Sequence, residues 1–271
     1  RDEALIFLKY ATETKPLRIH IYRQEDDSFV KAATLEGEGT AIESISYVDM
    51  NGDGSDEIIV GRQISSGMKI LTIYSSRRFR MEMLMSTNYT GYTVCDLSEA
   101  QGNDIFVIRE TNSESGRDAE IYSYLTNGEI ATATAKISAG VSKIARLRTT
   151  TLSDGNNAVL VEGILSDNTY FTDVFTMNGG KAENVTLNTA TGVSDGTLRA
   201  YEVYSRDIDG DGKLEIPHPI LIQPQNGMAS FRIIEWYSYD AKGKANRESV
   251  TYSNNTDGWI ISLHDNWREK L

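Results

Sequence analysis

Short apolar segments alternate with polar, glycine-containing segments along almost the whole chain. One unit contains four of them: Ser44–Val48, Glu57–Gly61, Lys69–Tyr74 and Arg80–Met85. The segments are rich in β-branched and aromatic residues, and Gly, Asn, Asp and Ser separate them, which is typical of strands joined by turns. No sustained 3.6-residue apolar period is present, so helices should be scarce. The pattern predicts four β-strands in each unit.

The four-strand pattern recurs at intervals of roughly fifty residues, as in the blades of a β-propeller. The first unit supplies three strands, and Trp259–Leu263 is left as a lone strand near the C-terminus. Pairing that strand into the first blade would close the ring and remove its exposed edges. We therefore predict an all-β propeller of four-stranded antiparallel blades over residues 1–263. It would have five blades, closed by pairing of the N- and C-terminal strands, and be followed by a polar tail, 264–271, that leads into a further domain.

Two aspartate-rich loops share one layout of alternating oxygen-bearing side chains. Calcium takes six to eight oxygen ligands, and a glycine at the sixth position of such a loop permits a sharp turn. Weaker copies start at Asp96 and Thr150 and lack most of the acids. We predict that each loop binds one structural Ca²⁺ ion. The ligands are side-chain oxygens, except at Ser55 and Lys213, where the backbone carbonyl oxygen would bind. The ligands would be Asp49, Asn51, Asp53, Ser55 and Glu57 in the first loop, and Asp207, Asp209, Asp211, Lys213 and Glu215 in the second.

The same residues could in principle form an EF-hand or an ordinary turn. An EF-hand needs flanking helices and an acid at the twelfth position, where this chain has Val60 and His218, so that interpretation is rejected. An ordinary Asn/Gly/Asp hairpin turn that binds nothing is the second alternative. Two full copies with alternating acids argue against it, because carboxylates held close together repel one another.

The loop starting at Asp49 and its partner at Asp207 resemble the FG-GAP/VCBS repeats of integrin α-subunit propellers and bacterial surface proteins. The resemblance implies calcium-binding propeller blades. Its ninth position is usually Asp, so Glu57 and Glu215 depart from the family pattern. The chain also resembles uncharacterised propeller lipoproteins of Gram-positive gut bacteria, which implies an extracellular or cell-surface location and no known activity.

The net charge of the 271-residue chain is −12, from 27 basic and 39 acidic residues. Such a surface repels phosphate backbones, so we expect no nucleic-acid partner. The apolar runs are too short to cross a bilayer. The chain begins at Arg1 in the middle of a repeat, so we interpret it as part of a longer protein whose signal peptide or lipid-anchor cysteine would lie upstream. We expect a monomer.

The aromatic residues Trp236, Tyr237 and Tyr239 lie in one strand of the last unit. Such rings can fill the core or stack on a ligand, and the sequence leaves both roles open. The leading functional hypothesis is a non-enzymatic binding module for a glycan or a protein, with no catalytic residues. The alternatives are a structural spacer and a carbohydrate-active lyase or glycosidase, and the fold alone does not choose between them.

Overall fold

The computed structural model describes most of the chain as antiparallel β-structure. It describes residues 3–10, 12–64, 67–75, 81–98, 100, 102–111, 116–223, 230–254 and 259–263. The tail predicted over 264–271 lies outside these ranges. Within them, the regular structure consists of nineteen β-strands and a 3-10 turn over Asp195–Thr197. No helix in the described part is long and apolar enough to span a membrane.

The strands form five sheets in which neighbours in sequence are neighbours in space. The first sheet contains β1 (Glu3–Lys9), β2 (Leu17–Glu25) and β3 (Ser28–Gly37). The second contains β4 (Ala41–Val48), β5 (Glu57–Gln63), β6 (Lys69–Ser75) and β7 (Glu82–Asn88). The third contains β8 (Gly91–Cys95), β9 (Asp104–Glu110), β10 (Arg117–Tyr124) and β11 (Ile130–Lys136). The fourth contains β12 (Val141–Thr151), β13 (Asn157–Leu165), β14 (Tyr170–Asn178) and β15 (Lys181–Asn184). The fifth contains β16 (Ile216–Ile222), β17 (Phe231–Tyr239), β18 (Ala245–Asn254) and β19 (Trp259–Ser262).

Each sheet is an up-and-down antiparallel meander, which is the arrangement of a propeller blade. The fold class predicted from the sequence is confirmed: the protein is all-β and built of propeller-type blades, and the number of sheets agrees with the five blades predicted. The central strands β5, β9 and β13 are buried over five or more consecutive residues. These strands contain near-continuous runs of apolar residues such as Val, Ile and Phe. A strand that is covered on both faces has no solvent-facing positions, so polar residues do not alternate along it.

By their internal contacts, the described residues group into two compact units. One comprises Arg1–Val94, Ala100–Glu110 and Tyr122–Thr132, and the other Cys95–Glu99, Thr111–Ile121 and Ala133–Leu271. Each unit has its own apolar core. The buried core residues of the first unit include Val48, Met50, Ile59, Leu71, Ile73, Tyr89, Ile105 and Val107. Those of the second include Leu152, Ala158, Leu160, Val174, Ile216 and Tyr239.

The predicted pairing of the C-terminal strand into the first blade is wrong. β19 pairs antiparallel with β18, from Asn254 opposite Trp259 to Thr251 opposite Ser262, and the first sheet has three strands. Only residues 255–258 separate the two strands in sequence, so this local pairing closes a much shorter loop than the long-range one. Residues 201–207, which precede the last sheet in sequence, contribute a single bridge residue, Arg206, in place of a strand.

Candidate functional site

Both aspartate-rich loops lead into a strand that starts at a buried position. Residues 49–56 link β4 to β5, and residues 207–214 lead to β16. In the second loop, an isolated antiparallel bridge between Arg206 and Glu215 takes the place of the entering strand. Each loop ends in a buried glutamate, with 1% of Glu57 and 2% of Glu215 exposed. A carboxylate therefore lies at the inner end of each loop.

The first loop folds around its own acidic side chains. Their oxygens accept hydrogen bonds from the backbone N–H groups that follow, as in Asx-turns. The glutamate at the ninth position reaches back to the second residue. The bonds run from Met50 N to Glu57 Oε2 (3.0 Å), Gly52 N to Asp49 Oδ1 (2.7 Å), Asp53 N to Asn51 Oδ1 (2.9 Å), Gly54 N to Asp49 Oδ2 (2.8 Å) and Ser55 N to Asp53 Oδ1 (2.9 Å).

The second loop repeats this network position by position, although the two loops share few side chains outside the motif. The bonds run from Ile208 N to Glu215 Oε2 (3.0 Å), Gly210 N to Asp207 Oδ1 (2.6 Å), Asp211 N to Asp209 Oδ1 (3.2 Å), Gly212 N to Asp207 Oδ2 (3.0 Å) and Lys213 N to Asp211 Oδ1 (2.8 Å). The acid spacing therefore specifies one backbone conformation in both places.

Glycines at the fourth and sixth positions make this conformation accessible. Their φ angles are 71° and 81° at Gly52 and Gly54, and 86° and 85° at Gly210 and Gly212. L-residues rarely adopt this left-handed region, whereas glycine does so at little cost. The need for a sharp turn predicts a glycine at the sixth position, and the structure gives the fourth-position glycine the same role.

Three carboxylates converge in the second loop. Oxygen atoms of Asp207, Asp209 and Glu215 lie within 4.8 Å of one another. Burial, together with the negative charges of Asp209 and Asp211, raises the pKa of Glu215 to about 7. A set of carboxylate oxygens that repel one another at this distance fits a hard divalent cation, whose charge would offset the repulsion.

The other two ligands predicted in the second loop lie outside this convergent group. Asp211 is exposed, and its Oδ2 pairs with the Lys213 ammonium at 3.1 Å. Hydrogen bonds from Lys213, first of all from its backbone N–H, lower the pKa of the Asp211 carboxyl. The part predicted for the Lys213 carbonyl, like that of the Ser55 carbonyl in the first loop, stays a prediction.

In the first loop an amide stands where the second has a carboxylate. The Asn51 side-chain nitrogen donates to Glu57 Oε1 at 3.3 Å, so the amide and the Met50 N–H hold the two oxygens of one carboxylate. Among the four side chains predicted to bind the ion, the first loop thus has one carboxylate fewer than the second. We expect its affinity for a cation to be the lower of the two.

The degenerate third loop packs directly against the first. The Asn103 backbone N–H and side-chain amide both donate to the Asp49 carbonyl, at 3.0 and 3.1 Å. A Cβ on Gly102 would lie 2.2 Å from the Met50 carbonyl carbon and oxygen, so only glycine fits there. This loop keeps acids at its first and ninth positions, Asp96 and Asp104, but not at its third and fifth, and it packs against the complete loop.

The degenerate fourth loop is a tight turn between β12 and β13. Its retained acid, Asp154, accepts hydrogen bonds from Ala241 N at 2.9 Å and Asn156 N at 3.2 Å. Gly155 has a φ of 87°. The carboxylate therefore caps backbone groups, and the loop offers no second acid at calcium spacing.

A cavity of 340 Å³ lies beside the second loop, within the second unit. Its lining includes His218 and Tyr237, whose rings meet edge to face at 6.1 Å, together with Tyr239. Burial raises the pKa of the Tyr239 phenol. The Tyr237 hydroxyl donates to Glu235 Oε2 at 2.7 Å. Of this lining, the sequence had indicated Tyr237 and Tyr239 through their aromatic strand.

Thr186 and Thr197 also line the cavity and come from the segment that follows β15. Thr186 ends an Asn-Val-Thr glycosylation sequon over 184–186, which indicates nothing about a cavity. No motif marks Thr197.

A buried ion pair fixes the segment behind this cavity. Arg199 Nη2 and Glu162 Oε1 are 3.3 Å apart, and their side chains are 1% and 0% exposed. Arg199 also donates to Thr172 Oγ1 and to the Thr197 carbonyl, both at 3.0 Å. The Ser205 N–H donates to Glu162 Oε1 at 2.8 Å. Glu162 Oε2 and Ser205 Oγ, however, are buried without a hydrogen-bond partner. The ion pair still holds the segment in place, because removing either partner would leave a buried charge unpaired.

Comparisons with known proteins identify no family. No family model and no curated protein matches the chain. A rhamnogalacturonan lyase structure matches with a TM-score of 0.46 and 12% identity, over 92% of this chain and 59% of that chain. A Bacillus licheniformis rhamnogalacturonan lyase matches with a TM-score of 0.45 and 12% identity, over 94% and 60%. TolB from Acinetobacter baumannii matches with a TM-score of 0.36 and 12% identity, over 96% and 60%. The chain thus spans about 60% of the length of these proteins.

Proposed function

We propose that the protein is a calcium-stabilised extracellular binding module built of propeller-type blades, whose ligand is a glycan or a protein. One observation carries this proposal: two loops far apart in sequence fold into the same hydrogen-bonded conformation around the same acidic positions. Ordinary turns need one Asx side chain, as the Asp154 turn has, and do not need four oxygen-bearing positions.

Calcium fits these loops better than other common ions. The side chains that converge are carboxylates and an amide, with no His or Cys, and zinc favours nitrogen and sulfur ligands. Magnesium demands a near-ideal octahedron, whereas calcium accepts irregular sets of oxygens. Asp207, Asp209 and Glu215 would hold the ion in the second loop, and Asp49, Asn51 and Glu57 in the first. The ion would tie each loop to the strand that follows it.

A structural calcium role fits an extracellular location. Extracellular calcium modules bind with dissociation constants of roughly 10⁻⁴–10⁻³ M, which the external medium saturates and the cytoplasm does not. The net charge of −12 suits soluble exposure and disfavours nucleic acid.

A binding role is favoured over that of a spacer by the cavity beside the second loop. Its described lining combines aromatic rings with hydroxyl groups, as at Tyr237 and Thr186. Small-molecule sites have this composition: apolar walls with a few convergent polar groups. None of the described side chains that line it is a carboxylate, whereas glycoside hydrolysis needs two.

Thermal unfolding with and without calcium tests the proposal. We expect the melting temperature to be higher in millimolar CaCl₂ than in excess EDTA, and the difference to shrink when Asp49 and Asp207 are both replaced by Ala. The matched control is Asp154→Ala, which removes the acid of the degenerate fourth loop and should leave the calcium-dependent difference unchanged. Coincident melting curves, together with metal analysis that finds no calcium in the purified protein, would reject the proposal.

A further inference from the structure

Tyr239 is a buried residue with 8% of its surface exposed, and its hydroxyl has no hydrogen-bond partner among the described residues, although that oxygen is not itself sealed from solvent. It lies 3.9 Å from the place where a Cβ on Gly196 would stand, and both residues line the 340 Å³ cavity. A hydroxyl that bonds no protein group is satisfied by water or by a ligand. The hydroxyl is therefore placed to bond something in the cavity.

The wall next to this hydroxyl offers a flat apolar surface. The half-buried Tyr237 ring lines the cavity, and its hydroxyl is held by Glu235, which fixes the ring in place. His218 packs edge to face against it and is exposed. An immobilised aromatic face beside the Tyr239 hydroxyl can receive the C–H face of a ligand while the hydroxyl bonds one of its polar groups.

The charges around the cavity point to a neutral ligand. The described side chains that line it include no Lys or Arg. Two arginines lie nearby, and both are paired: Arg199 with Glu162 and Arg247 with Glu235, each at 3.3 Å. An anion entering this cavity would lose its hydration and meet no Lys or Arg side chain among the described lining residues. The volume is at the small end of the 300–1,000 Å³ range of ligand pockets, so it suits a small ligand.

We propose that this cavity binds one neutral sugar residue of a glycan, with a ring face against Tyr237 and a hydroxyl hydrogen-bonded to Tyr239. This rests on the proposed function as a binding module and names the glycan as its ligand. The second loop adjoins the site, because Glu215 directly precedes Ile216, the cross-strand partner of Tyr237.

Binding of methyl glycosides tests the proposal. Methyl glucoside, galactoside and mannoside, with the corresponding uronic acids, are titrated into the protein in millimolar CaCl₂ and followed by ligand-observed NMR. A single sugar residue makes few contacts, so we expect at least one neutral glycoside to bind with a dissociation constant of about 1 mM. Gly196→Leu, which fills the cavity, should weaken binding at least tenfold. Tyr239→Phe should weaken it several-fold.

Tyr74→Phe, at a buried tyrosine of the second sheet, is the matched control and should leave binding unchanged. The inference is overturned if no neutral glycoside binds, if Gly196→Leu binds as well as the native protein, or if the uronic acids bind as tightly as the neutral sugars. The calcium-dependent melting shift, measured on the same samples, separates two failures. A retained shift without sugar binding rejects only this inference, and a lost shift rejects the proposed function. The same shift shows that the Gly196→Leu protein has folded.

Discussion

Replacing Glu215 by Gln removes one charge from the second loop and little else. The glutamine oxygen can still accept the hydrogen bond that Glu215 receives from Ile208 N at 3.0 Å. The side chain keeps its size at a position where 2% of the residue is exposed, so no cavity forms. The variant therefore isolates the effect of the carboxylate charge, which has opposite signs with and without calcium.

Without calcium, the charge of Glu215 opposes folding. Burial and the neighbouring acids raise its folded-state pKa from 4.5 to about 7. Between these values the folded protein binds more protons than the unfolded chain, so the free energy of unfolding falls as the pH rises through this window. The full shift would be worth up to about 3 kcal/mol, and solvent around the exposed loop reduces it to about 1–2 kcal/mol. In EDTA at pH 8 we expect Glu215→Gln to be more stable than the native protein by that amount, and no more stable at pH 4.

With calcium the order reverses. An ion that binds only the folded state at a hundred times its dissociation constant adds about 2.7 kcal/mol per site. For a chain of this size that corresponds to about 5–10 °C in melting temperature. Glu215→Gln loses most of this contribution from the second loop and keeps that of the first. The native protein should therefore melt above the variant in calcium and below it in EDTA at pH 8.

Melting curves and urea titrations at pH 4 and pH 8, in EDTA and in calcium, measure both effects. Glu129→Gln, in the exposed turn between β10 and β11, is the control and should change neither quantity. Two results would refute the reasoning: a Glu215→Gln protein less stable than native in EDTA at pH 8, or one with an undiminished calcium shift.

Three further substitutions test the packing around these sites, each by urea unfolding. Gly212→Ala should lower stability by about 1 kcal/mol, since its φ of 85° is costly for alanine; no loss would mean that the loop adjusts freely. Glu162→Met should cost about 3–5 kcal/mol by stranding the Arg199 charge, whereas the double change to Met at both positions should cost much less; equal losses would contradict a charge effect. Gly102→Ala should cost about 1–3 kcal/mol and weaken calcium binding at the first loop, because its Cβ would clash with the Met50 backbone; native-like affinity there would show that the contact is dispensable.

The repeat structure could be predicted from the sequence because its signals are local. Alternating apolar segments and turn residues are read within one blade, and the confirmed strands of the second sheet need no information from elsewhere. The layout of the acidic loops is local too, since the acids at 207 and 209 and the glutamate at 215 come from nine consecutive residues, and the structure brings these three together. The calcium ion itself stays a prediction.

What the sequence did not reveal depends on residues far apart in the chain. The Arg199–Glu162 pair joins positions 37 residues apart, and nothing near either marks the other as its partner. The cavity likewise combines β17 aromatics with threonines from the segment that follows β15. The prediction of the terminal strand pairing was wrong for a related reason. When a strand could pair with either of two sheet edges, loop length and neighbouring structure determine its partner, and its own residues do not.

Because the third loop contacts the first, the sequence of one repeat cannot simply be replaced by that of another. The seventh position of the two complete aspartate-rich loops is occupied by Ser55 or Lys213, but in the third loop it must stay Gly102, because the Met50 backbone takes up the space. A consensus sequence averaged over the repeats would place a side chain at this position, and that side chain would displace the backbone of the first loop. The two neighbouring loops therefore have different roles: the first carries the complete set of acidic positions, and the third packs against its backbone and supports its conformation.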